Sequence, residues 1–523
     1  MSSSINAPAI PAAAELALLV SVFVVAACGL VYELLAGTLA SYVLGDSVRE
    51  FSIVIGSYLF AMGVGSWASR HVTRQLPAQF LCIELLIGVI GGLMPAALFL
   101  VNAVSPSPFR WLLYGLISLI GVLVGLEIPL VMRLLRREYA LRELVSQVLT
   151  FDYLGALGVA IAFPLLLVPH LGLIRTGVVF GLLNVAVAAW ALWLYRGELH
   201  QRRSHVFACV ASAAVLLAAL FGAEQITRWS EDRFYPDPVL YAASTPYQRV
   251  IITRARSGSP DSLRLYLNGN LQFHARDEYR YHESLVHPLL AATGAPRRVL
   301  ILGGGDGLAA REVLKYPSVE AITLVDLDSA VTQLFREQPL LRALNHDALR
   351  SPKLEVINAD AFEWLRRRRD DGNAVPYDAA IIDFPDPSNY ALGKLYTSSF
   401  YALVAANLSQ TGRFVVQTTS PLIARKSFWT VVATLENAGL KTAPYHAHVP
   451  SFGEWGFVLA GRVPYQPPAQ LPDGLRFLSA PTLPLLFDFP PDMSRVPAEP
   501  NRLSNQVLVP IFEAEWGAVE NEH

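Results

Sequence analysis

The sequence is poor in cysteine and in charge, and its first 225 residues contain no lysine. None of the three cysteines (Cys28, Cys82 and Cys209) belongs to a CxxC pair, which excludes a disulfide framework and a cysteine-based zinc site. Charged residues make up 16% of the 523-residue chain, against about 25% in soluble domains. The net charge of −2 gives no sign of a nucleic-acid partner.

The shortage of charge is concentrated in the first part of the chain. Residues 1–225 hold 12 Arg and 11 acidic residues, whereas residues 226–523 hold the other 61 charged residues. Most of seven apolar stretches in the first part approach the ~20 residues that span a bilayer. They lie at 16–31, 51–68, 80–103, 111–132, 153–169, 172–194 and 206–223. We therefore predict a multi-span α-helical membrane domain over 1–225, with about seven transmembrane helices in the lipid bilayer of the cell (inner) membrane.

Arginine placement predicts the orientation of these helices. Nine arginines follow the second, fourth and sixth stretches, and three follow the first, third and fifth. The positive-inside rule places the arginine-rich loops in the cytoplasm. With seven spans, residues 226–523 then emerge on the outer side. A cytoplasmic location requires that the short last stretch, 206–223, does not cross the membrane.

Glu33, Glu84 and Glu127 lie inside apolar stretches, and Asp152 begins one. A carboxylate at membrane depth costs ~2.5–3.5 kcal/mol on insertion scales. These residues therefore indicate a cation-attracting cavity or path, hydrogen bonds between helices, or positions near the membrane interface.

The second part begins with a small sheet. Breakers at Pro236, Pro238 and Pro246 predict a connector over 226–246. Alternating residues then predict antiparallel strands at 247–256, 261–268 and 269–275, followed by a helix at 277–290.

From Val299 onward, strand and helix patterns alternate. The predicted strands are 299–304, 321–328, 354–360, 377–385 and 412–420, with a late hairpin at 448–461. This alternation predicts an α/β doubly wound domain of the Rossmann-like, methyltransferase type, with a largely parallel sheet. The expected domains after the membrane part are a connector with the small sheet (226–290), a catalytic domain (291–475) and a C-terminal extension (476–523).

Acidic residues cluster at the predicted carboxyl ends of the strands, where such sheets bind ligands. GGGDG (303–307) follows the first strand, and Asp326, Asp360, Asp383 and Asp386 follow later ones. Counting Asp306, five aspartates around one cleft favour a cationic ligand and disfavour a phosphate. The alternative is that they are helix N-caps.

From Tyr247 to Gly461 the sequence closely resembles the spermidine synthase family, the polyamine aminopropyltransferases. The motifs are Tyr247-Gln248, LNGNLQF (267–273), DEYRYHE (277–283), VLILGGGDG (299–307), VDLD (325–328), NAD (358–360), DFPDP (383–387), VVQTTSP (415–421) and WGF (455–457). The N-terminal half resembles the membrane-spanning branch of the same family.

The resemblance implies transfer of an aminopropyl group from decarboxylated S-adenosylmethionine to putrescine or a similar polyamine, giving spermidine and methylthioadenosine. The donor is a co-substrate, and the resemblance implies neither a cofactor nor a metal. A homo-oligomer is left open.

The resemblance also implies roles for single residues. Asp383 would be the general base, with Tyr281 orienting the attacking nitrogen. The expected substrate-binding residues are Asp326 for ribose, Asp360 for adenine, Asp306 for the aminopropyl ammonium, Gln248, His282 and Asp386 for the aminopropyl and diamine pockets, and Gln417 near the acceptor groove.

Two other interpretations remain open at the level of sequence. One is a non-catalytic sensor or transporter for polyamines or adenosyl compounds. The other is an S-adenosylmethionine-dependent methyltransferase, although the carboxylate of its donor would meet Asp306.

Overall fold

The computed structural model describes residues 12–44, 47–105, 108–135, 141–256 and 262–520. The chain divides into two compact units, Met1–Pro236 and Asp237–His523. Arg136 and Arg137, which entered the orientation argument, and residue 261, the first of a predicted strand, lie outside the described residues.

The first unit is helical. Its helices are α1 (Ala12–Leu44), α2 (Ser47–Ala68), α3 (Leu76–Val104), α4 (Phe109–Leu135), α5 (Leu141–Ala162), α6 (Val168–Leu194) and α7 (Arg202–Phe234). Within the described residues, six segments are long and apolar enough to cross a membrane. The fifth, Val145–Leu194, spans 50 residues and contains most of α5 and all of α6. Gly172 interrupts its helical path with φ 72° and ψ 174°, at the boundary between the apolar stretches 153–169 and 172–194.

Small residues and one polar cluster hold α3 against α6. A Cβ atom on Gly181 would lie 2.4 Å from the carbonyl oxygen of Gly88, so the two backbones are in direct contact. Next to this crossing, the Asn184 amide donates to Oε2 of buried Glu84 at 3.0 Å and accepts from the Tyr32 hydroxyl at 3.2 Å. Glu84 therefore makes an interhelical hydrogen bond, which is one of the interpretations that the sequence left open.

The second unit opens with a four-stranded antiparallel sheet. Its strands, in spatial order, are β1 (Val239–Ser244), β2 (Arg249–Arg254), β3 (Leu263–Leu267) and β4 (Asn270–His274). The predicted connector over 226–246 contains regular structure at both ends. Helix α7 continues to Phe234, and β1 pairs along β2 from Val239 to Ser244.

A seven-stranded sheet forms the rest of this unit and confirms the predicted α/β doubly wound fold. Its strands are β5 (Arg298–Gly303), β6 (Ala321–Asp326), β7 (Leu354–Asn358), β8 (Tyr377–Asp383), β9 (Leu408–Gln417), β10 (Lys441–Val449) and β11 (Gly453–Gly461). The spatial order is β10-β11-β9-β8-β5-β6-β7. Strands β5 to β9 run parallel, and β10 and β11 form an antiparallel hairpin at one edge.

Helices cover both faces of the sheet. They are α8 (Glu278–Thr293), α9 (Leu308–Val313), α10 (Ser329–Glu337), α11 (Pro339–Leu344), α12 (Ala361–Asp370), α13 (Tyr390–Gly393), α14 (Ser398–Ala406), α15 (Arg425–Asn437) and α16 (Leu508–Glu520). Val299 and Ile301 of β5 point into one buried apolar layer, and Leu300 and Leu302 into the other. This alternation within a continuous apolar run is why β5 is central.

The strand order reverses between β5 and β8. The chain moves from β5 outward through β6 to β7, then returns to place β8 on the other side of β5. Ligands of doubly wound sheets bind at such a reversal, beyond the carboxyl ends of the strands. Here those ends bring Gly303 opposite Asp383.

Candidate active site

A glycine turn lets the ends of β5 and β8 meet. Gly303 has φ 82°, and a Cβ atom there would lie 2.1 Å from the carbonyl oxygen of Asp383. A side chain at this position would therefore push the two strand ends apart. Gly305, two residues further along the same turn, donates its N–H to Asp326 Oδ2 at 3.0 Å. Burial raises the pKa of Asp326 to about 6, although this bond and one from the Asp328 N–H oppose the shift.

Asp383 and Tyr281 form a direct pair in the cleft. The Tyr281 hydroxyl, carried by α8, donates to Asp383 Oδ1 at 2.6 Å. Burial raises the pKa of Asp383, while His282 and the Tyr281 hydrogen bond oppose this. Burial and Asp383 raise the pKa of Tyr281 well above its usual value, so the phenol stays a neutral donor. The second oxygen of Asp383 is left for another donor.

Asp306 adds a second, partly buried carboxyl group to the same cleft. It lies in the glycine turn, where its Oδ1 accepts from the Leu308 N–H at 2.9 Å at the start of α9. Burial raises the pKa of Asp306 to about 6, His282 pulls it down, and Asp383 pushes it up. The two aspartates thus compete for the same positive charge.

That positive charge is the imidazole of His282. Its Nδ1 contacts Glu278 Oε2 at 2.8 Å, and the residue is 2% exposed. Burial alone would lower its pKa, but the hydrogen bond and charge of Glu278, with Asp306 and Asp383, raise the pKa to about 9. His282 is therefore an imidazolium at neutral pH.

A row of buried charges supports His282 from behind. Arg311 makes two hydrogen bonds of 2.9 Å to Glu278, and its Nε donates to Glu312 Oε1 at 2.8 Å. The other Glu312 oxygen contacts His287 Nε2 at 2.9 Å and Lys315 Nζ at 2.6 Å. Sequence reasoning missed this row. Its charged residues lie in α8 and in or just beyond α9. Their burial results from the packing of α8 against α9, which the sequence pattern of either helix alone does not indicate.

A second polar group lies beside Asp386. The Gln417 amide donates to the Tyr396 hydroxyl at 3.0 Å, to the carbonyl oxygen of Phe384, and at 3.4 Å to Asp386 Oδ1. Gln417 Oε1 accepts from the Trp455 indole at 3.1 Å. Burial raises the pKa of Asp386 to about 7, against the Gln417 hydrogen bond. The carboxyl group of Asp386 is therefore present in both its neutral and its ionised form near pH 7.

Two residues that were predicted to bind substrate make hydrogen bonds or ion pairs with other side chains of the protein. Gln248 donates to Asp328 Oδ2 at 3.0 Å, which places it beside the turn that follows Asp326. Asp360 caps α12 by accepting from the Glu363 N–H, and it pairs with Lys394 Nζ at 2.7 Å. For Asp360 the helix-cap interpretation thus holds, and its adenine role stays a prediction. In the described part of the chain, no three His, Cys, Asp or Glu side chains are grouped to hold a metal.

The strand-end geometry defines an α/β protein whose cleft is acidic. Comparison with known proteins narrows this class. The spermine/spermidine synthase domain family matches residues 278–464. Polyamine aminopropyltransferase 2 of Ralstonia nicotianae is 53% identical over 96% of this chain and 98% of its own. The polyamine aminopropyltransferase of Leptospira interrogans is 48% identical over 97% and 99%.

A more distant curated relative agrees with these matches. The polyamine aminopropyltransferase of Mycobacterium tuberculosis is 39% identical over 95% of this chain and 96% of its own. A crystal structure of spermidine synthase in complex with the transition state analogue AdoDATO is 26% identical, with a TM-score of 0.43 over 48% of this chain and 85% of that one. This chain belongs to the polyamine aminopropyltransferase family, and it is an enzyme of that kind.

We predict that Asp386→Asn stabilises the fold at neutral pH, because burial disfavours the charged carboxylate. Its folded pKa of about 7 lies above the ordinary 3.8. Below pH 3.8 the carboxyl is neutral in both states and no gain is expected. The gain grows from pH 3.8 to 7 and reaches at most about 4 kcal/mol above that. Chemical unfolding of the purified chain at pH 4, 6 and 8 measures it.

The exposed Asp492→Asn is the matched control, and its unfolding free energy should not change with this pH profile. Equal effects of Asp386→Asn at all three pH values would contradict the argument, as would destabilisation at pH 8.

Proposed function

We propose that the chain transfers the aminopropyl group of decarboxylated S-adenosylmethionine to putrescine or a similar amine, giving spermidine and methylthioadenosine. The observation that carries this proposal is the Asp383–Tyr281 pair inside an acidic cleft. The relatives' names point to the same class of reaction. The donor is a sulfonium cation without a carboxylate, and a cleft of buried carboxyl groups favours such a ligand.

The donor fits the side of the cleft formed by β5 and β6. Asp326 would accept from the ribose hydroxyls, since it ends β6 over the glycine turn. Asp306 would pair with the aminopropyl ammonium. Gln248 would close this side through its contact with Asp328. These pairings would place the carbon beside the sulfonium close to Asp383.

The acceptor nitrogen must be neutral before it attacks. An alkylamine resembles Lys, with a pKa near 10.4, so removing its proton at pH 7.4 costs about 4 kcal/mol. Asp383 would take that proton on the oxygen that Tyr281 leaves unoccupied. The nitrogen then bonds to the carbon beside sulfur, the carbon–sulfur bond breaks, and its electron pair neutralises the sulfonium as methylthioadenosine.

Two neighbours would prepare this step. The His282 imidazolium favours the ionised form of Asp383 that a base requires, because it opposes the rise in the pKa of Asp383 that burial causes. Asp386 would pair with the far ammonium of the diamine, with Gln417 holding its carboxylate in place. This arrangement would fix the line of attack.

Asp383→Asn should abolish turnover and keep donor binding, because it removes the proton acceptor and retains the side-chain shape. We expect kcat to fall at least about 100-fold. Mass analysis of products from the purified chain, putrescine and the donor measures turnover, and calorimetry measures donor binding.

Wild-type chain is the control and should form spermidine and methylthioadenosine in equal amounts. Near-normal turnover of the variant would remove Asp383 from the mechanism. A methylated amine made from S-adenosylmethionine by the wild type would instead support the methyltransferase interpretation.

Asp306→Asn should reduce the preference for the decarboxylated donor over S-adenosylmethionine. The carboxylate would attract the aminopropyl ammonium and repel the extra carboxylate of S-adenosylmethionine, while Asn retains an acceptor for the Leu308 N–H. We expect the ratio of the two dissociation constants to change about tenfold.

The exposed Asp347→Asn serves as control for a general change of charge. An unchanged ratio in Asp306→Asn would refute the assignment of Asp306.

We also propose that residues 1–225 are a membrane domain of the cell (inner) membrane, with 226–290, 291–475 and 476–523 as the small-sheet, catalytic and C-terminal parts. The apolar length of the helices supports the membrane assignment. The arginine bias supports an outer location of the catalytic part. The cytosolic origin of the donor argues for the inner side. Homo-oligomer formation stays a prediction.

A reporter fused after Pro236, the last residue of the helical unit, distinguishes the two sides. We expect activity from a tag that works only outside the cytoplasm. The matched fusion with a tag that works only inside should be silent. Activity of the inside tag alone would refute the outer location and favour six crossings.

A further inference from the structure

The C-terminal helix α16 lies beyond the residues matched by the family domain, which end at 464. It is nevertheless anchored to the N-terminal end of helix α15. The N-cap position of α15, Ala424, has no side chain that caps the helix. Glu515 of α16 supplies the cap, because its carboxylate accepts from the N–H groups of Lys426 and Ser427 at 2.8 and 2.9 Å and from the Ser427 hydroxyl at 2.7 Å.

This anchor places the neighbouring Trp516 against the segment that follows β9. Its indole N–H donates to the Thr419 hydroxyl at 2.8 Å, and Thr419 is 2% exposed. Its ring also packs on Trp455, with centroids 6.4 Å apart. Trp516 thus touches both β9's continuation and β11.

Both contacts lead to Gln417. Thr419 lies two residues beyond it, and the Trp455 indole N–H donates to its Oε1 at 3.1 Å. That bond fixes which end of the amide faces the cleft, so the amide nitrogen is the one that approaches Tyr396 and Asp386. A shift of Trp455 would release the amide and with it the orientation of Asp386.

We propose that Trp516 is a positioning residue for the acceptor amine, acting through Trp455 and Thr419 on Gln417 and Asp386. This inference rests on the proposed function and deepens it, because it assigns control of the acceptor pocket to the C-terminal extension. It separates the two substrates, because among the described residues Asp306 and Asp326, on the donor side of the cleft, make no hydrogen bond to Gln417, Thr419, Trp455 or Trp516.

The test is Trp516→Phe, which retains an aromatic ring but loses the N–H, with Trp516→Ala as the stronger variant. We expect the KM for putrescine to rise about fivefold in the first, as for the loss of one hydrogen bond, and further in the second. The KM for the decarboxylated donor should stay within about twofold, since no donor contact changes.

Trp429→Phe is the matched control. Its indole N–H also donates to a residue of the C-terminal extension, the Met493 carbonyl, at 3.0 Å. This hydrogen bond does not involve Gln417. This variant should be less stable yet keep the wild-type KM for putrescine.

An unchanged putrescine KM in both Trp516 variants would overturn the proposal. Equal changes in donor and amine KM would do the same, since they indicate a merely structural role, as would an equal effect of Trp429→Phe. Calorimetric titration of putrescine makes the same comparison without turnover. A failure of aminopropyl transfer itself therefore remains distinguishable from a failure of this inference.

Discussion

The structure of the catalytic unit depends on gathering several partly buried carboxyl groups around one cleft that the His282 imidazolium faces. Burial raises the pKa of Asp306, Asp326 and Asp386, so each ionised group destabilises the empty fold. The His282 imidazolium compensates part of this charge. A cationic donor and a cationic acceptor would compensate the remaining negative charge. The same carboxylates would therefore both attract the substrates and destabilise the fold when the cleft is empty.

The support for His282 explains how one imidazolium can be kept charged in a buried place. Glu278 alone would pair with it and cancel its charge. Arg311 binds the same carboxylate through two hydrogen bonds and is itself paired with Glu312. Lys315 supplies a second cation to Glu312. The two carboxylates and two cations next to His282 therefore balance, and the imidazolium retains a net positive charge toward Asp306 and Asp383. Replacing one member would leave a buried charge unpaired, which is strongly destabilising.

Much of the sheet and the positions of the cleft residues follow from sequence, because a buried parallel strand is a run of apolar residues that ends where the chain turns. Strand β5 and the positions of Asp326 and Asp383 were predictable for that reason. Strand β1 was missed because prolines flank it, and most of β10 because Pro444 interrupts it. The charged row behind His282 and the contact of Trp516 with Trp455 depend on packing between distant segments, which no local pattern reveals.

The most direct test of the account is the number of protons exchanged when the amine binds. Putrescine is titrated calorimetrically at pH 7 into the purified chain saturated with methylthioadenosine, in buffers of different ionisation enthalpy. Because Asp386 has a pKa of about 7, a bound ammonium should lower that pKa and release about half a proton. The release should vanish in Asp386→Asn. Binding without proton exchange, or with proton uptake, would contradict a cleft whose missing charge is supplied by its cationic substrate.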